Sequence, residues 1–244
     1  MSAVRLGLVF GSAALVAAVA LFPLRLALDW SGASAAGLFA RQVEGPVWAG
    51  ELHDASLAGV PLGVVKAGLD PLALATGAVR LRFDARGAVS GGGKVGFGGR
   101  GIALEGADLE APLLTVFPGL ALRGRLQLSD AAVRFQSGRC TAARGGAVID
   151  RLGVGARGPD VPGLQLAGRL GCRDGALVIP LTGQSAGVRF DGSLRVEGAG
   201  AWRLESRVRV TDPTVEAALG LSGFGRTLDG FGRVDQGRLG HAGA

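Results

Sequence analysis

Apolar and polar residues alternate with period two along much of the chain. Val79, Leu81 and Phe83 alternate with Arg80, Arg82 and Asp84, while Leu120, Leu122, Leu126 and Leu128 share one parity, with Gly124 in register and Arg123, Arg125 and Gln127 opposite. Trp202, Leu204, Val208 and Val210 alternate with Arg203, Glu205, Arg207 and Arg209 in the longest run, and Val133/Phe135 and Leu194/Val196 make shorter ones. Successive side chains of a strand point to opposite faces, so each run predicts a strand with one buried and one solvated face. Glycine-containing turns divide the runs at Gly87–Gly93, Gly138, Gly145-Gly146, Gly158-Pro159 and Gly198–Gly200.

Short turns between short strands imply hairpins, because parallel pairing needs long crossovers and no alternating helical pattern supplies them. The expected fold is therefore mainly β: a curved antiparallel sheet with one or two short helices, bent at glycines inside its strands. Leu69-Asp70-Pro71-Leu72-Ala73-Leu74 predicts one helix, with Asp70 as cap, Pro71 at the first helical position and Gly77 as stop. Pro112–Leu120 is the other candidate.

One segment breaks the pattern. Leu6–Leu24, LGLVFGSAALVAAVALFPL, carries no charge and is bounded by Arg5 and Arg25. As a helix at about 1.5 Å per residue it is as long as a bilayer's hydrocarbon core is thick, which makes it a candidate single-pass anchor. A cleaved signal peptide is the alternative, with Ala33-Ser34-Ala35 as a small-residue site. The apolar run is longer than a signal peptide needs and that site lies well beyond Leu24, which favours the uncleaved anchor. The layout expected is a cytoplasmic stub and anchor over 1–28, a linker or helix extension over 29–44, and an all-β domain over 45–240.

Composition refines this picture. The chain has 244 residues, 48% of them apolar and 44 of them glycine, which is enough to bury a core and form many turns. Its formal charge of +6 is almost all arginine, since Lys66 and Lys94 are the only lysines. The arginines recur singly along strands and tyrosine is absent, which argues for a solvated face and against nucleic acid as a partner. Cys140 and Cys172 are the only cysteines, and an even pair in an exported domain reads as one disulfide in an oxidising compartment. Two unpaired buried thiols are the alternative.

Candidate chemistry is sparse. Gly96-Phe97-Gly98-Gly99-Arg100-Gly101 matches the dinucleotide pattern in form, but Ile102-Ala103-Leu104-Glu105-Gly106 after it does not open a helix. His53-Asp54 followed by Ser56 has the residue types of a hydrolytic triad, yet sequence neighbours rarely meet that geometry. The only other histidine is His241, and two cysteines with two scattered histidines make no zinc site. No catalytic residue, cofactor or metal ligand is assigned, and an enzyme is not expected.

Several segments resemble the general secretion pathway protein N family of type II secretion systems. Gly45-Pro46-Val47-Trp48-Ala49-Gly50 is similar to its G-x-[LV]-W-x-G motif, followed by Leu57, Gly59, Leu62-Gly63-Val64 and Asp70-Pro71-Leu72-Ala73-Leu74. Trp48 between Gly45 and Gly50 is expected to bury its ring where two strands approach closely. Cys140 with Leu166–Leu181 resembles the family's paired-cysteine region, and Asp212-Pro213 through Leu219, Gly223-Phe224 and Gly230 its closing pattern. Lys66 departs from the pattern, standing where a second tryptophan is expected. The resemblance implies an accessory of type II secretion, single-pass in the cell inner membrane with its β domain in the periplasm. It implies other secretion components as partners and no catalytic residues. A periplasmic lipid-binding β-groove of the envelope-lipid-transport type is the alternative function.

Overall fold

The computed structural model of the chain describes residues 10, 17, 20–31, 37–57, 59–75, 79–98, 101–155 and 160–239. Most of the expected anchor lies outside them, as do Ala33-Ser34-Ala35, Gly77, Gly99-Arg100, Gly158-Pro159 and His241. Among the described residues no helix is long and apolar enough to cross a membrane.

The chain order is α1 (Leu24–Ser31), β1 (Leu38–Phe39), β2 (Gln42–Glu44), β3 (Gly50–Leu57), β4 (Val60–Leu69), α2 (Pro71–Ala75), β5 (Val79–Arg86), β6 (Ser90–Gly98) and β7 (Gly101–Pro112). Then follow α3 (Leu113–Val116), β8 (Leu122–Gln136), β9 (Arg139–Val154), β10 (Leu166–Arg169), β11 (Gly171–Arg173), β12 (Ala176–Ser185), β13 (Val188–Val196), β14 (Ala201–Val210), α4 (Pro213–Leu221), β15 (Gly225–Thr227) and β16 (Gly230–Arg238). The sixteen strands of the described residues form one sheet, ordered β1-β3-β4-β5-β6-β7-β8-β9-β10-β12-β13-β14-β16-β15, with β2 beside β3 and β11 beside β12. Every pairing in it is antiparallel. The stretch 29–44, expected as a linker or helix extension, carries the end of α1 and then β1 and β2, both paired to β3.

Period-two patterning survives as a buried face. Trp202, Leu204, Ser206 and Val208 of β14 are buried while Arg203, Glu205 and Arg207 between them are exposed. The sheet curls about that face. Phe117, just after α3, meets Trp202 edge-on with ring centroids 5.4 Å apart. In a flat ladder the six steps from β7 to β14 would separate them by about 29 Å. Leu113, Phe117, Val215 and Leu219 fill the hollow from α3 and α4 against Ile149, Leu166, Leu181 and Phe190. A cavity of about 10 Å³ among these side chains is lined only by apolar groups and has space for about one water molecule. A second core at the N-terminal end holds Leu24, Val47, Leu52, Ala55, Val65, Ala67 and Ala85.

Gly145-Gly146 is not a turn, for β9 runs through it. A bulge opposite Ser129–Ala132 absorbs the irregularity: Gly145 has φ +116°, and a Cβ there would stand 2.8 Å from the Ala131 Cα. Gly91–Gly93 likewise belong to β6, and only the residues before Ser90 turn. Pro213–Leu221 forms a helix that strand patterning did not announce; Asp212 caps it, its Oδ1 accepting from the Thr214 N–H at 2.7 Å and the Val215 N–H at 3.4 Å, with Pro213 following.

Candidate functional site

The Gly45–Gly50 motif is a junction. Phe22 carbonyl oxygen accepts from the Val47 N–H at 2.8 Å, and the Leu24 N–H donates to the Gly45 carbonyl at 3.1 Å, so the motif grips the chain where it leaves the N-terminal apolar segment. Pro23 bridges Pro46 in the same place. From the other side the Leu69 N–H donates to the Val47 carbonyl at 2.9 Å, which ties the junction to the end of β4. Leu24, expected as the last residue of the anchor, is 2% exposed and packs in the core beneath this junction. Gly50 opens β3, buried against Leu24.

Trp48 is only half-buried, contrary to the expectation of a fully enclosed ring; its neighbour Val47, 3% exposed, points into the core instead. The close strand approach is real but involves backbone. A Cβ on Gly68 would lie 2.2 Å from the Trp48 carbonyl oxygen, so only glycine fits opposite that peptide.

Asp70-Pro71-Leu72 forms the next element as expected. Asp70 Oδ1 accepts from the Leu72 N–H at 3.1 Å, and its Oδ2 from Arg82 Nη2 at 3.2 Å. Pro71 begins α2, and Leu72 is 78% exposed, so its apolar side chain belongs to the surface rather than the core. The Arg82 guanidinium, assisted by the Leu72 and Ala73 N–H groups, holds the Asp70 carboxyl below its ordinary value of 3.8. A carboxyl with a lowered folded-state pKa stabilises the fold fully above the unfolded value and loses that contribution as pH falls through the folded one. Asp70→Asn is therefore expected to lower the melting temperature at neutral pH, with the gap to the parent closing below about pH 4. A gap that stays constant to pH 2 would contradict this role.

Cys140 and Cys172 form a disulfide with Cα atoms 5.6 Å apart. It joins β9 to β11 where β10 ends and the regular ladder beside β9 stops, flanked by the Cys140 N–H donating to Gly175 at 2.8 Å and the Leu170 N–H to Gly145 at 3.1 Å.

Nothing catalytic is assembled from the other candidates. His53 Nε2 faces Glu51 at 3.9 Å, Asp54 faces Arg41 at 3.4 Å, and Ser56 pairs with Pro61. Gly96, Gly98 and Gly101 lie in the β6–β7 pair, which continues as strand where a nucleotide site requires a helix. Among the described residues no group of three or more His, Cys, Asp or Glu side chains is placed to hold a metal. A groove of about 220 Å³ crosses the end of β5–β8, where Val79, Phe97 and Ile102 lie beside Arg80, Glu105 and Arg134. Arg80 and Glu105 pair across it at 3.6 Å.

The described surface offers two strand edges and an N-terminal exit gripped by backbone hydrogen bonds, all carried by one curled antiparallel sheet. A family model for type II secretion system (T2SS), protein N matches residues 36–235, and the chain belongs to that family of secretion accessory components. No curated protein and no solved structure matches the chain.

Proposed function

We propose that the protein is a non-enzymatic accessory of type II secretion, held in the inner membrane by Leu6–Leu24, whose periplasmic sheet aids transport across the outer membrane by contacting other secretion components. The observation that carries this reading is the family match across nearly the whole sheet. Two others support it. A disulfide suits an oxidising compartment, and the junction at Gly45–Trp48 receives the chain directly from the apolar segment. The hollow of the sheet is filled by its own side chains, which favours a protein over a lipid as the bound partner. Stoichiometric phospholipid on the detergent-extracted protein would reverse that preference.

Deleting the gene is expected to leave cargo proteins in the periplasm, and both the parent protein and His53→Ala should restore their release. Normal secretion in the deletion strain would refute the role. Loss of activity in a folded His53→Ala protein would refute its non-enzymatic character.

A further inference from the structure

The two ends of the sheet are finished differently. At the N-terminal end, β2 covers Glu51–His53 and β1 covers Ser56–Leu57, so two very short strands blunt the edge of β3. At the C-terminal end β16 pairs with β14 over Ala201–Val208, but β15 covers only Gly230–Gly232 on its other side. Arg233–Arg238 therefore present a row of backbone groups that no strand among the described residues pairs with on that side.

The surroundings of this edge are chemically distinctive. Val234, the second residue of the free run, is 50% exposed. β14, β15 and β16 carry six arginines against two carboxylates, Glu205 and Asp235. Glu205 is occupied by Arg203 at 2.9 Å and Asp235 by Arg233 at 2.6 Å, whereas Arg207 and Arg238 are exposed and make no ion pair among the described residues. A second copy of the chain placed edge to edge would bring two basic edges together, which like-charge repulsion opposes. An acidic segment meets the free guanidinium groups instead.

We infer that the free edge of β16, Arg233–Arg238, receives an extended acidic strand of a partner protein by strand addition. Backbone pairing supplies the attachment, Val234 takes an apolar side chain of the incoming strand, and Arg238 and Arg207 select carboxylates. The inference rests on the secretion reading for its biological setting, while the edge itself is testable without it.

The test is hydrogen exchange on the full chain in detergent micelles, with two synthetic ten-residue peptides, one alternating valine and glutamate and one alternating valine and lysine. The valine–glutamate peptide is expected to slow exchange of the Arg233–Arg238 amides at least tenfold, leaving β3 unchanged, while the valine–lysine peptide does not. Exchange at Arg233–Arg238 that neither peptide slows, or that both slow equally, overturns the proposal. Protection that rises with protein concentration alone also overturns it, by making a second copy the occupant. In cells, the Val234→Glu/Arg238→Glu double variant should reach parental levels yet fail to restore secretion to the deletion strain. Restoration by that variant sinks the edge proposal and leaves the secretion reading standing, whereas a deletion strain that secretes normally sinks the secretion reading itself.

Discussion

Trp202→Ala is expected to lower the stability of the sheet by about 3 to 5 kcal/mol, the range for emptying a buried aromatic site. Trp202 is 3% exposed and lies edge-on to Phe117, so its ring links β14 to the segment that follows α3 across the hollow. Its Nε1 is buried without a hydrogen-bond partner among the described residues, so the ring contributes through packing and not through a polar contact. Trp202→Phe should accordingly recover most of the loss. Trp48→Ala should have the smaller effect of the two tryptophan truncations, because its ring is only half-buried at the junction. Chemical denaturation of the three variants checks this ordering. A Trp202→Ala protein within about 1 kcal/mol of the parent would mean that Phe117 and Trp202 do not close the hollow.

Replacing both cysteines by serine is expected to cost about 4 kcal/mol. The bridge spans a sequence separation of 32, and the chain-entropy account assigns a loop of that size a contribution of this order. The loss is comparable to a large fraction of a domain's net stability. It should fall on β9–β11 in particular, where the bridge stands beside two isolated backbone hydrogen bonds instead of a full ladder. Thermal unfolding of parent and variant, together with exchange rates in β9, measures it. Membrane retention should not change, because the bridge is far along the chain from Leu6–Leu24. An unaltered melting temperature would show that the cross-link does not constrain the unfolded chain.

The strand content was legible because alternation leaves a direct imprint. The Trp202–Val210 run became β14 with its faces as expected, and Asp70-Pro71 announced α2 correctly. The same Asp-Pro signal at Asp212-Pro213 went unread as a helix start, although the capping chemistry is identical. Those residues entered only through the family's closing pattern, which carries no secondary structure of its own. Glycine was the harder residue to interpret. A glycine pair reads as a turn when only neighbours are considered, but Gly145 lies where the partner strand's backbone approaches too closely for a side chain, a requirement that comes from that strand. The role of Gly45–Gly50 was legible only as a resemblance. Its hydrogen bonds to Phe22 and Leu24 join residues more than twenty apart, which no local pattern encodes. The open edge of β16 was equally hidden, since it follows from β15 stopping after three residues.

The proposed role depends on where the sheet resides relative to the membrane. Alkaline phosphatase, which is active only after export, fused behind the full chain measures this most directly. An N-terminal apolar segment that anchors a periplasmic sheet predicts a membrane-bound fusion with full phosphatase activity in intact cells. A stable fusion that is inactive, with its phosphatase retained in the cytosol, would contradict the account.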